Sequence, residues 1–553
     1  MERTLFRKST VLLATLAAFG LAACGGGGDA PANSNTQAAQ SSEPAEQQEV
    51  VIGNGAEPES LDPQKVSGVP EANILRQMLV GLTTTDNDGN TVAGMAEKWE
   101  SADNKVWTFH LRDAQWSNGD PVTADDFVYS MRRLVDPATA SPYASYLADA
   151  KVANADAVIE GKAQPETLGV KALDSKTLEI TLTEPVPYFP DMLIHTSVKP
   201  VHAKTVEQFG NKWTAPENIV VNGPYKLKDW VVNSRIVLER NPNYFDDAAT
   251  SVNQITLLPI SSPPTDVSRF QAGESDFTYN DIPSEQFQSL KRDMGDQMKV
   301  SPYLCTYYYE FNHTKPPFDN AKVRKALQLA LDRETLAGKV VGRGETAAYQ
   351  FTPPSTQGMP TFTPEWQQQD KAQRIATAKQ LLNEAGYDEA HPLTFELLYN
   401  TNENHKKNAV AAAALWKEAL GFVNVNLVNQ EWKTYLDTRR DQRFQMARGG
   451  WCADYNEGSA FLNIFKSDNS SNYGKYSSPE FDSLMTKTLA NDVSPETRGE
   501  LYRQAEAVLD KDAATIFVYH YVNGRLVKPH VDGYSLKDPL DNWQVKNWKI
   551  LKH

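Results

Sequence analysis

The side chains best suited to chemistry gather late in the chain. Arg439 and Arg448 supply fixed cations, and Asp454 supplies an acid a few positions on. Trp432, Trp451 and Tyr455 lie among them. Opposite charges at separated points, next to large rings, suit the capture of a molecule that carries both signs. Bond-breaking chemistry finds little support. The chain lacks the H-E-x-x-H and G-x-S-x-G motifs. Its 9 His are scattered, without a ligand-spaced His or Cys cluster. No glycine-rich phosphate loop opens a helix after a strand. A binder rather than an enzyme is expected, with no metal and no cofactor.

These residues must be held by a large, folded, exported body. The chain has 553 residues, beyond the size at which one core keeps growing, so several domains are expected. Mean hydropathy is -0.51. The 11 Trp and 22 Tyr suit either a core or the wall of a cleft. Net charge is -15; Arg3, Arg7 and Lys8 against Glu2 give residues 1–23 a charge of +2, leaving -17 for the remainder. A body this acidic argues against nucleic acid as a partner.

The basic start is followed by an apolar run from Val11 to Leu21, which suits a signal peptide and is short for a membrane span. Leu21-Ala22-Ala23-Cys24 resembles the bacterial lipobox, which implies a lipid on Cys24 and a leader over 1–23. Gly25 to Gly28 and the polar stretch to Gln48 read as a flexible tether over 24–48. No later run reaches 18 apolar residues. One lipid anchor on a periplasmic body is therefore expected, on the inner or the outer membrane. Two Cys remain, Cys305 and Cys452. In an oxidising compartment they either pair or stay as separate buried thiols.

Local patterns give a mixed α/β body. Trp107, Phe109 and Leu111 alternate with Val106, Thr108 and His110, the period of a strand. Thr123 and Asp126 read as a capping box, with Val122 stapled onto Phe127. Asp319 is expected to cap a helix bearing Val323, Ala326, Leu327 and Ala330. A further helix follows His405, with Ala409, Ala412, Ala413, Trp416 and Leu420 on one stripe and Gly421 at its end.

Several longer stretches carry a family resemblance. They include Trp116-Ser117-Asn118-Gly119, Ala140 to Leu147, Asn222-Gly223-Pro224-Tyr225, Pro302 to Glu310, Asn429 to Thr434 and above all Arg448-Gly449-Gly450-Trp451-Cys452-Ala453-Asp454-Tyr455-Asn456-Glu457. From about residue 50 to His553 the chain resembles the family 5 (cluster C) extracellular solute-binding proteins, in their oligopeptide branch. The resemblance implies a two-lobed periplasmic-binding-protein-like α/β fold with an extra inserted domain. One lobe is expected over 45–79, 204–304 and 522–553, the insert over 80–203, and the distal lobe over 305–521. It also implies a Cys305–Cys452 disulfide, a monomer, short peptides as ligand and the permease of an inner-membrane ABC importer as partner. The same fold with another cargo (dipeptide, murein peptide, sugar or metal chelate) is the alternative.

A receptor for peptides of many sequences must grip main chain and termini and leave room for side chains. The resemblance implies that Asp454 meets the α-ammonium. Arg448 and Arg439 are implied to meet a carboxylate, and His405 the carboxylate of longer peptides. Trp432, Trp451 and Tyr143 would form aromatic walls. Tyr279, Asn280, Tyr303 and Tyr519 would add hydrogen bonds. Gly68 and Val69, with Gly450 and Cys452, would offer backbone. Ser67 stands where close relatives carry Glu, which shifts the expected preference away from basic side chains. Asp281 stands where they carry an amide and is expected to restore negative charge nearby.

Overall fold

The computed structural model describes residues 42–490 and 493–553. The leader, Cys24 and most of the expected tether lie outside the described residues. Residues 42–48 of that stretch are described and touch the C-terminal strand. Pro44 bridges Leu551, and the Ala45 N–H donates to Ile550 O at 2.7 Å. The Gln48 amide also donates to Ile550 O at 2.8 Å. A polar segment thus finds backbone partners in the C-terminal strand that composition does not reveal.

Three larger sheets organise the body. In the first, Glu49–Gly53 runs parallel to Gln254–Leu258, and Arg235–Arg240 and Tyr225–Val231 follow antiparallel. The second is antiparallel, in the order Ala96–Glu100, Val106–Leu111, Thr177–Thr181, Val170–Asp174. Here Trp107, Phe109 and Leu111 point into the core, as their alternation predicts. The third has six strands, ordered Thr346–Ala347, Thr515–Leu526, Met298–Phe311, Met446–Cys452, Leu393–Asn400, Val423–Gln430.

Helix starts follow local chemistry. Asp126 accepts the Thr123 N–H at 2.8 Å at the head of Ala124–Val135. The helix Ala321–Ala330 is capped by Asn320, one residue later than expected, through its side chain on the Lys322 N–H. The helix Glu403–Leu420 is capped by Asn402, which places His405 in its first turn. Gly421 ends it at φ 84°, a conformation glycine adopts without strain.

Two long strands, Met298–Phe311 and Thr515–Leu526, pair along most of their lengths. Their register breaks between Pro302 and Thr306. Pro302 has no N–H to give, and Leu304 turns to other partners, donating to Pro539 O and accepting from the Ala453 N–H, both at 2.9 Å. On one side of the break, Phe277 bridges both Ile52 and Val527, tying the pair to the first sheet. On the other side the pair forms the middle of the six-stranded sheet.

Candidate functional site

A cavity of about 230 Å³ opens where these parts meet. Its wall takes residues from the 55–76 segment, from Tyr143 and 194–196, from 260–281, and from the six-stranded sheet and its loops. Among the sequence-predicted residues, Ser67, Gly68, Val69, Tyr143, Tyr279, Asn280, Tyr303, His405, Trp432, Arg448, Gly450, Trp451, Cys452 and Asp454 all line it. Positions more than 300 residues apart in the chain are thus drawn to one space.

The strand Met446–Cys452 delivers the central group. One edge pairs with Met298–Phe311, from Cys305↔Cys452 to Phe311↔Met446. The other edge pairs with Leu393–Asn400 only at Met446 and Ala447. Past Ala447 that edge leaves the ladder, and the cavity wall takes Arg448 and Gly450 to Asp454. Cys305 and Cys452 form a disulfide across the paired edge. A Cβ on Gly450 would lie 2.8 Å from Arg448 Nη2, so a larger residue there would push the guanidinium tip aside. On the facing wall Gly68 caps the helix Val69–Met78, whose first N–H groups have no intrahelical acceptor. A Cβ on Gly68 would lie 2.0 Å from Glu71 Oε2 and 3.0 Å from the Trp432 ring.

Asp454 and Arg448, an acid and a base, both have neutral partners. Asp454 Oδ1 accepts from Tyr143 OH at 3.1 Å, and His195 Nε2 stands 3.2 Å from the same oxygen. Burial pushes the Asp454 carboxyl up to about 8, with the Tyr143 hydrogen bond pulling it back and Asp149 adding to the rise. Burial pushes His195 down to about 3, with Lys199 and Arg76 acting in the same direction, so its contact with Asp454 is not an ion pair. Arg448 donates to Tyr521 OH at 2.7 Å and to Asn400 Oδ1 at 3.3 Å, and lies 5.1 Å over the Tyr307 ring. No carboxylate among the described residues forms an ion pair with it, and its Nε has no acceptor. His405 faces the same end of the cavity, held neutral by burial, with Arg448 and Arg343 opposing its protonation.

Two expected residues stand elsewhere. Arg439 is buried against Glu310 at 2.8 Å and reaches Tyr308 OH at 3.3 Å. With its charge already met, it is part of the framework behind the wall. Tyr519 is 1% exposed, stacks on Tyr307 at 4.7 Å and accepts from Asn408 at 3.0 Å. Tyr521, two residues on, reaches the cavity in its place. Asp281 lines the wall and shares the single Arg343 guanidinium with Glu345, which holds it at 2.7 Å. It binds Arg343 at 2.6 Å and the amides of Asn402 and Asn404 at 2.8 and 2.7 Å. Ser67 accepts from Arg440 at 3.0 Å, while Arg440 grips both oxygens of Glu59 at 2.7 Å.

Sequence reasoning missed His195 and Arg76 on the wall. It also missed a clasp beside Asp454. There Lys466 pairs with Asp149 at 2.7 Å, Asn469 donates to Asp149 at 2.6 Å, and the Ser470 N–H donates to Ser145 Oγ at 2.9 Å. Both acid and base are nearly buried, a setting in which removal of one partner is costly. Among the described residues no group of three or more His, Cys, Asp or Glu is placed to hold a metal. None of the described helices is long and apolar enough to cross a membrane.

Comparison with known proteins agrees with this geometry. Residues 90–473 match the family described as bacterial extracellular solute-binding proteins, family 5 Middle. The chain is 57% identical to the periplasmic oligopeptide-binding protein OppA of Salmonella typhimurium over 92% of this chain and 94% of that one. It is similar to the crystal structure of Haemophilus influenzae OppA in complex with the peptide RPPGFSPFR, with TM-score 0.90 and 48% identity, covering 92% of this chain and 100% of that one. The murein tripeptide-binding protein MppA of Escherichia coli discriminates between two arrangements. One of its structures, 42% identical over 92% of this chain and 100% of that one, matches with TM-score 0.90. An MppA periplasmic murein tripeptide-binding protein in its unliganded open form, 41% identical over 93% of this chain and 99% of that one, matches with TM-score only 0.65. The arrangement of this chain is therefore unlike that open form. By its sequence and its fold, the chain belongs to the family 5 bacterial extracellular solute-binding proteins.

Proposed function

We propose that this protein is the substrate-binding component of an ABC importer and captures short peptides in the periplasm. One observation carries the reading. A single cavity holds a buried acid and a buried base, Asp454 and Arg448, whose protein partners are all neutral. A zwitterion supplies both missing charges at once. Between them the open edge of the Met446–Cys452 strand offers backbone groups to an extended ligand. Relatives named for oligopeptide binding, one of them solved with a nonapeptide, support the same choice of cargo.

In this reading 45–79, 204–304 and 522–553 form one lobe, 80–203 the insert and 305–521 the distal lobe. The register break at Pro302 to Thr306 is then the hinge. Cys24 carries the lipid, and the body works as a monomer with an inner-membrane permease. Ligand-stripped protein mixed with an unblocked tripeptide is expected to become more compact in small-angle scattering and to melt higher. A ligand at 100 times its dissociation constant adds roughly 2.7 kcal/mol of stability. Neither compaction nor a melting shift would count against the receptor. Replacing Cys24 by Ser is expected to move the protein from the membrane to the soluble fraction. A fraction that stays with the membrane would refute the anchor.

Acidity gives the empty protein a definite trend. In the closed cavity the Asp454 carboxyl sits at about 8, whereas in an open, solvated cleft its value falls to the ordinary range near 3.9. Asp454 thus favours the closed empty form below its solvated value and loses that advantage as pH rises through about 8, whereas His195, held down at about 3 on the same wall, opposes closure below its ordinary value near 6.5. Scattering on ligand-free protein should show expansion between about pH 6.5 and pH 8, above the range where His195 opposes the trend, and Asp454→Asn should reduce it. The reverse trend would show that another group governs opening.

A further inference from the structure

His195 is a buried, titratable group on the cavity wall that the proposed function does not use. Its ring lies 4.5 Å from Tyr143 and 5.0 Å from Tyr146, centroid to centroid, so it cannot swing freely. Nδ1 accepts the Ser197 N–H at 3.3 Å and lies 2.8 Å from Ser197 Oγ. An amide N–H can only donate, so Nδ1 is the unprotonated nitrogen. A neutral ring then carries its proton on Nε2, the atom 3.2 Å from Asp454 Oδ1.

The charges around the ring keep it neutral. Burial, Lys199 and Arg76 all oppose an imidazolium, and the one acid within contact is Asp454 itself. Lys199 is in turn pushed down to about 7 by burial and Arg76 and donates to Leu79 O at 2.9 Å. Asp454 is also approached by Tyr143, beside the His195 ring, and by Asp149, which is paired with Lys466 in the clasp. Oδ1 of Asp454 therefore has two neutral donors within reach. Oδ2 has no protein donor among the described residues. A protonated histidine here would neutralise Asp454 and remove the need for a cation from the ligand.

We propose that His195 is a positioning residue of the ammonium site. Its Nε2–H holds Oδ1 of Asp454 and turns Oδ2 toward the ligand, while the ring withholds the positive charge that a free peptide N-terminus must then supply. The proposal rests on Asp454 being the ammonium anchor. It makes His195 a determinant of selectivity for unblocked N-termini, although the ring need not touch the peptide.

Calorimetry on ligand-stripped, full-length protein tests it with an unblocked tripeptide and its N-acetylated form. Hydrogen bonds to charged groups are worth enough that His195→Leu should weaken the unblocked peptide by about 10-fold or more. The acetylated peptide should be little affected. His195→Gln keeps an N–H donor that reaches the same place, so it should restore most of the loss. Equal weakening of both peptides by His195→Leu, or no weakening, overturns the proposal. Asp454→Asn separates the two levels of argument. If that variant binds the unblocked peptide as well as wild type, the anchor reading fails; if it is weakened while His195→Leu is not, only the role of His195 fails. Nitrogen-15 NMR of the imidazoles in the wild-type complex needs no folded variant. A neutral ring protonated on Nε2 at pH 6 is expected for His195. An imidazolium, or a proton on Nδ1, overturns the proposal.

Discussion

Asp454→Asn is expected to weaken binding of an unblocked tripeptide by roughly 30-fold to several thousand-fold. Truncating one member of a buried charged pair costs roughly 2–5 kcal/mol, and about 1.4 kcal/mol is a factor of ten. The loss has two sources. The ligand ammonium leaves water on entering a closed cavity, and in the variant it keeps that cost and loses its counter-charge. The amide also brings its own N–H donors into a cluster where Tyr143 OH and His195 Nε2 already face the position of Oδ1. Part of the wild-type gain is offset by the proton that Asp454 gives up when the ammonium arrives, since burial holds the empty carboxyl at about 8. The effect should be alike for peptides of different side chains, because every unblocked peptide has that end. Acetylation should weaken wild-type binding and leave little further to lose on substitution. Isothermal calorimetry over the four combinations measures the coupling directly. Equal affinity of Asp454→Asn and wild type for the unblocked peptide would place the anchor elsewhere.

Much of this site is legible in sequence because one short strand and its loop supply its centre. Arg448, Gly450, Trp451, Cys452 and Asp454 are neighbours in the chain and neighbours on the wall. What stays hidden depends on partners that no local pattern names. Arg439 and Arg448 look alike in sequence, yet Glu310 on the adjoining strand neutralises only the first. Tyr519 and Tyr521 share the alternation of one strand, yet Tyr519 lies under Tyr307 while Tyr521 reaches Arg448. His195 sits beside the short turn Thr196–Val198, with no motif around it, and its meaning comes from Asp454 in a distant part of the chain. Helix caps behave similarly at smaller scale. Asp319 and Asn320 are both good capping residues, and which one caps is settled by where the backbone turns. The effect of Ser67 is also set by its surroundings. Its hydroxyl meets Arg440, whose charge Glu59 already balances, so the missing Glu leaves no unpaired cation there.

Replacing both Cys305 and Cys452 by Ala is expected to lower stability by roughly 2–5 kcal/mol, the range for a native crosslink that closes a long loop. The two residues are 147 positions apart, so the reduced chain regains much of the freedom that the bond removes from the unfolded state. The native state should change far less. Cys305 and Cys452 face each other at the end of an antiparallel ladder that continues to Phe311 and Met446 without the bond. Arg448 also remains fixed by Tyr521 and Asn400. A constraint that acts mainly on the unfolded chain leaves binding geometry in place, so affinity for a tripeptide should stay within about 3-fold of wild type. Urea melts of wild type and the double variant, each with and without a saturating peptide, separate the two effects. The stability gap should persist at the same size with peptide bound, because peptide stabilises both folded forms equally. A gap that closes in wild type alone on reduction, with the variant unmoved, assigns it to the bond rather than to lost packing at Cys305, which is fully buried. Unchanged melting of wild type after full reduction would show that the ladder alone fixes these strands.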